Sequence, residues 1–131
     1  AYGLESLSRG ADNATFIDSS KKATDVILKN LSKLKIDPGC TNVLLGDFQD
    51  KIKRLKNKNE CFDLVFLDPP YNIGLAEKIL ITLYNYDILM PSSYIVVEHH
   101  LHEGINIDLT SLDLVKHKQY KDICISVYRK K

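Results

Sequence analysis

The run Phe62-Asp63-Leu64-Val65-Phe66-Leu67-Asp68-Pro69-Pro70-Tyr71 ends an apolar strand on a carboxylate, two prolines and an aromatic ring. Each proline fixes its own φ and drives the residue before it into extended backbone, so Asp68 and Pro69 are both held out of the helical region. Neither proline has an N–H to donate. A stiff loop mouth therefore presents acceptors, the Asp68 carboxylate and backbone carbonyls, beside the flat face of Tyr71. Acceptors next to a stacking ring suit a planar amine such as a nucleobase drawn out of its stack. A bare Asp-Pro-Pro is also a rigid strand-end turn. The apolar strand before it, and Asn72 and Gly74 leading into a helix after it, favour a binding corner.

Two more carboxylates follow apolar strands, Asp18 after Ala14–Ile17 and Asp47 after Asn42–Gly46. In an α/β fold, ligands bind at the C-terminal strand ends, and a carboxylate ending the second strand of a nucleotide-binding half accepts from ribose hydroxyls. Asp18, with Ser19 beside it, fits that role. Asp47 can accept from an adenine amino group, with Phe48 as an apolar wall. Either aspartate alone also reads as a helix cap; three carboxylates at successive strand ends are harder to assign to capping. Glu98, closing another strand beside the pocket, is either a site residue or a plain strand terminus.

Other polar clusters say less. The basic run at 51–58, and Lys116, Lys118, Lys121, Arg129, Lys130 and Lys131, could touch phosphates, but a solvated helix face looks the same. His99, His100 and His102 lack a defined helical or strand spacing for ligating a metal, so they read as loop residues near a site, and no metal is expected. His117 is expected to be exposed on an edge strand.

The elements that position these groups alternate along the chain. A short helix from Gly3 to Arg9 stops at Gly10. Ala14–Asp18 is a strand; Ser19 or Ser20 caps a helix with Ala23, Ile27, Leu31 and Leu34 on one face; Asp37-Pro38-Gly39 breaks it. Asn42–Gly46 is a second strand, followed by a helix with Phe48, Ile52 and Leu55 inward and its lysines outward. Phe62–Leu67 is the third strand. Gly74–Tyr86 repeats Leu75, Ile79 and Leu83 at helical spacing, and Met90-Pro91-Ser92 leads into the strand Tyr94–Glu98. Leu112–Lys118 and Ile123–Arg129, joined by Gln119–Asp122, form an antiparallel hairpin. The pattern is α/β, a mostly parallel sheet covered on both faces.

With 131 residues and 44% hydrophobic content the chain is one globular domain with a real core. A net charge of +1 excludes a grossly basic nucleic-acid binder, though not local basic patches. Cys40, Cys61 and Cys124 are odd in number and far apart, which suits reduced thiols rather than a disulfide framework or zinc knuckle. No apolar run approaches the roughly 20 residues of a membrane span, and no signal pattern opens the chain, so a cytoplasmic protein is expected. A nicotinamide dehydrogenase is disfavoured: no hydride-transfer acid is evident, and the proline pair has no use there.

Asp68-Pro69-Pro70-Tyr71 resembles the signature with which class I S-adenosylmethionine-dependent methyltransferases methylate exocyclic amines. Gly3–Ala11, Ala14–Asp18, Tyr94–Glu98 and the closing Tyr120–Arg129 together resemble the RsmD-type family, bacterial guanine-N2 methyltransferases of small-subunit ribosomal RNA, over nearly the whole chain. The resemblance implies a Rossmann-like sheet with a C-terminal antiparallel hairpin, S-adenosyl-L-methionine as cofactor, and ribosomal RNA or the small subunit as partner. It implies Asp68, Pro69, Pro70 and Tyr71 as catalytic residues, and Gly3, Asp18, Ser19, Asp47 and Phe48 as cofactor-binding ones. It also implies that a first, central strand and most of the glycine-rich loop precede Ala1, so that the chain is a fragment whose missing strand would lie between those ending at Asp18 and Asp68. An adenine-N6 methyltransferase of DNA or RNA shares the Asp-Pro-Pro-Tyr pocket and stays open, as does a truncated, non-catalytic domain; the oligomeric state also stays open.

Overall fold

The computed structural model of the chain describes residues 6–7, 9–69, 74–101 and 112–131. They fall into two compact units, Ala1–Lys51 and Ile52–Lys131.

In the first unit, Ala14–Asp18 (β1) and Thr41–Leu45 (β2) pair in parallel, Ala14 opposite Thr41 and Asp18 opposite Leu45. Parallel neighbours need a crossover, and helix α1, Lys21–Lys33, supplies it. Ser20, not Ser19, is its cap: the backbone there is extended and the Ser20 hydroxyl accepts from the Ala23 N–H at 3.2 Å. Leu31 is buried and Ala23 and Ile27 are half-buried, but Leu34 is exposed, because the helix ends one residue before it. The helix closes in a Schellman turn, Lys35 at φ 57° and the Ile36 N–H reaching the Leu31 carbonyl at 3.1 Å. Asp37 then caps a 3₁₀ turn, Pro38–Cys40, its carboxylate accepting from the Gly39 N–H at 2.9 Å. Of the expected Gly3–Arg9 helix, Ser6, Leu7 and Arg9 are described. There Gly10 sits at φ 104° while the Ala11 N–H bonds the Ser6 carbonyl at 3.0 Å, the stop that a glycine at this place favours.

In helix α2, Phe48–Asn57, Ile52 and Leu55 are buried and Phe48 is half-buried. The second unit holds Phe62–Leu67 (β3), Leu75–Tyr86 (α3), Leu89–His100 (β4), Leu112–Tyr120 (β5) and Ile123–Lys130 (β6), with sheet order β3-β4-β6-β5. β3 and β4 are parallel, whereas β4–β6 and β6–β5 are antiparallel, so the sheet is mixed. Helix α3 makes the β3-to-β4 crossover and touches β4. Its buried residues include Ala76, Leu80 and Leu83, one stripe at helical spacing, with Leu75 and Ile79 at its half-buried margin. Leu80, Ile88, Ile95, Val97 and Cys124 are almost fully buried and form the core of this unit; burying a large aliphatic side chain is worth about 1.5–3 kcal/mol.

Strand β4 is longer than the expected Tyr94–Glu98 and takes in Met90-Pro91-Ser92. The reason is a break in register: Phe62 pairs with Leu89 and Leu64 already with Tyr94, so β4 carries extra residues in a bulge, where Ser92 reaches φ 65° and Pro91 needs no ladder N–H. The hairpin turn is likewise shorter than expected, Lys121-Asp122, with Lys121 at φ 57°. Cys40, Cys61 and Cys124 are free thiols. Among the described residues β1 pairs with β2 alone and β3 with β4 alone.

Candidate active site

The register that pairs Leu67 with Val97 makes Asp68 and Glu98 neighbours at the C-terminal ends of β3 and β4, on one face of the sheet. Their side chains hydrogen-bond to each other. Two carboxylates can do so only if one keeps a proton. The Glu98 carboxyl is raised above the usual glutamate range, first by the hydrogen bond to Asp68, then by burial, then by the Asp68 charge. Asp68 is exposed, and Glu98 and Pro69 are half-buried. The Asp68 carboxylate is thus an exposed acceptor at the end of β3, beside Glu98. Pro70 and Tyr71, expected to complete the pocket, lie outside the described residues. Helix α3 starts beyond them at Gly74, whose φ of 82° a side chain would resist.

Asp18 and Asp47 stand together in the first unit. Asp18 ends β1 and Asp47 follows β2, and the Gly46 N–H ties the two ends by donating to the Asp18 carbonyl at 2.9 Å. One Asp18 oxygen accepts from the Ser20 N–H at 2.9 Å. Asp18 is half-buried, whereas Ser19 and Asp47 are exposed and Phe48 opens helix α2. Asp25, Asp87 and Asp113 have lysine partners, but neither Asp18 nor Asp47 has an ion pair among the described residues. Two unneutralised carboxylates at adjacent parallel strand ends are acceptors for a ligand rich in hydroxyl and amino donors, and the donor-rich ribose and adenine of a nucleoside cofactor fit them. Gly3 lies outside the described residues.

Two of these histidines are not loop residues. His99 and His100 belong to β4; His102 lies outside the described residues. His99 is buried and its Nε2 lies 2.9 Å from the Ser126 hydroxyl, which also meets His117 Nδ1 at 3.0 Å. Alternation puts His99 on the sheet face opposite Glu98, where it lines a groove of about 350 Å³ with His117, Cys124, Ser126 and Tyr128. His117 is exposed on β5, as its edge position implied. Among the described residues no three metal-ligating side chains cluster, and no helix is long and apolar enough to cross a membrane. Glu98, either a site residue or a plain strand terminus by its sequence, is placed beside Asp68 by the β3–β4 register, which no local pattern states.

A family model described as "Conserved hypothetical protein 95" matches residues 1–129. "Ribosomal RNA small subunit methyltransferase D" of Haemophilus influenzae is 36% identical over 98 residues, 75% of this chain and 50% of that protein. The Escherichia coli protein of the same name is 28% identical over 130 residues, 99% of this chain and 63% of that protein. The chain thus spans about half to two thirds of the length of these relatives. A solved structure from Haemophilus influenzae, assigned as a methylase, superposes with a TM-score of 0.86 at 31% identity, covering 98% of this chain and 78% of that one. The fold is therefore that of the methyltransferase neighbours, an α/β sheet ending in an antiparallel hairpin.

Proposed function

We infer, from a chain that belongs to the family described as Conserved hypothetical protein 95, the RsmD-type methyltransferases, that the whole protein is an S-adenosylmethionine-dependent RNA methyltransferase. Its substrate in this reading is the exocyclic N2 amine of a guanine in small-subunit ribosomal RNA, and it works in the cytoplasm. The observation that carries the reading is the Asp68–Glu98 pair at the ends of β3 and β4, running directly into Pro69-Pro70-Tyr71. The names of the relatives support the ribosomal RNA substrate.

The amine of guanine is a poor nucleophile, because its lone pair is delocalised into the ring. Asp68 and the Pro69 carbonyl each accept one N–H, which draws the nitrogen toward tetrahedral geometry and aims its lone pair. Tyr71 stacks on the unstacked base. S-adenosylmethionine supplies an activated methyl group on a sulfonium. Asp18 and Ser19 hold its ribose, Asp47 its adenine amino group against Phe48, and Gly3 lets the backbone approach. Positive charge developing on nitrogen is stabilised by the Asp68 carboxylate. Glu98, with its raised carboxyl, is then a better proton acceptor than an ordinary carboxylate and passes the amine proton on to solvent.

The whole protein, given cofactor with a labelled methyl, is expected to label hypomethylated small ribosomal subunits and not duplex DNA. Label in duplex DNA would favour the adenine-N6 reading, and label in neither would favour a non-catalytic domain.

A further inference from the structure

The basic residues of the β5–β6 hairpin divide by position. At the end away from Asp68, Lys130 pairs with Asp87 at 2.8 Å, Lys131 with Asp113 at 3.3 Å, and Arg129 donates to the Ser92 hydroxyl at 3.0 Å. At the end that carries the turn, Lys116, Lys118 and Lys121 are exposed and form no ion pair among the described residues. The turn lies at the same edge of the sheet as the site, since the Leu101 N–H, just past β4, donates to the Asp122 carbonyl at 2.7 Å.

Register fixes the face on which Lys118 lies, while Lys121 stands in the turn beyond the last ladder pair, Tyr120 with Ile123. Glu98 pairs with Ile125 and Ile125 with Lys118, so Asp68, Glu98, Ile125 and Lys118 form one row across the sheet with their side chains on one face. Three strand spacings separate Asp68 from Lys118, about 14 Å. Tyr120, two residues on and thus on the same face, is 55% exposed. Lys118 and Lys121 flank it, and the segment 114–123 has one acid, Asp122. Gln119 braces the turn through its side-chain N–H to the Lys121 carbonyl at 3.2 Å.

We propose that Lys118, Tyr120 and Lys121 form a rim that grips the single RNA strand flanking the target base, the lysines on phosphates and the ring on a neighbouring base. The proposal rests on the methyltransferase reading above. The Asp68 carboxylate repels phosphates, so a strand delivering a base to it must be held from the side, and cation, ring, cation in sequence is the alternation that single-stranded nucleic acid offers in return. The chain as a whole is nearly neutral at +1, which confines the attraction to such a local patch.

The test measures affinity of the whole protein for a single-stranded RNA oligonucleotide against salt concentration. Lys118→Gln and Lys121→Gln are each expected to lower the log–log salt slope by about 0.7, the share of one phosphate contact on a single strand. Tyr120→Ala is expected to weaken binding on the order of ten-fold with the slope unchanged, and Tyr120→Phe to restore it. Lys29→Gln with Lys33→Gln, on the exposed side of α1, should change neither. Unaltered slope and affinity in the rim variants, with methyl transfer intact, would overturn the rim and leave the enzyme reading standing. Failure of the unsubstituted protein to methylate any RNA would overturn the reading beneath it and the rim with it.

Discussion

Asp68 and Glu98 act as a unit, so their variants should fail in different ways. Asp68→Ala is expected to reduce methyl transfer by at least about 10²–10³-fold, the usual cost of losing an aimed polar group at a reacting centre. Cofactor affinity, measured by calorimetry on the whole protein, should not move. Glu98→Gln still donates to Asp68 but cannot take a proton, and transfer should fall about 10²-fold. The wild-type rate should rise with pH as the raised Glu98 carboxyl ionises, giving an acid limb above that of an ordinary carboxylate; Glu98→Gln should move that limb to lower pH. Stability changes the opposite way. The folded chain binds the Glu98 proton more tightly than the unfolded chain, so this contribution is complete below the ordinary glutamate value and is lost as pH rises through the raised one. Denaturation of Glu98→Gln should show a flatter pH dependence over that window. Asp68 was legible as an acceptor because prolines declare their backbone geometry. Its partner was not, because a hydrogen bond between strands depends on register, which no single segment states.

At the level of elements, local chemistry was readable wherever it involved near neighbours in the chain. The strands β1 and β3 have the bounds their apolar runs imply, and Ser20 caps α1 through a bond three residues long. Ser20→Ala should cost about 1 kcal/mol, seen as a lower denaturation midpoint with the slope of the transition unchanged. Strand β4 was underestimated because Pro91 and Ser92 look like a turn, and only pairing with β3 shows that they bulge within a strand. His99 was misplaced for a related reason: its partner, Ser126, is 27 residues away across a strand pair. Ser126→Ala would leave two imidazoles without that hydroxyl, one of them buried, and should destabilise the chain by about 1–3 kcal/mol.

For the whole molecule, the alternation of strands and helices predicted an α/β sheet with an antiparallel hairpin, and the likeness to solved methyltransferase folds agrees. Which strands neighbour one another was less legible, since the order β3-β4-β6-β5 follows from how the chain turns back and not from any one segment. The acceptors divide in the same way, Asp18 and Asp47 in the first unit and Asp68 and Glu98 in the second. The most direct measurement is nucleoside analysis of small-subunit ribosomal RNA after incubation with S-adenosylmethionine and either the unsubstituted whole protein or its Asp68→Ala variant. The expected result is N2-methylguanosine with the first and none with the second; N6-methyladenosine in its place, or N2-methylguanosine formed equally well without the Asp68 carboxylate, would contradict the account.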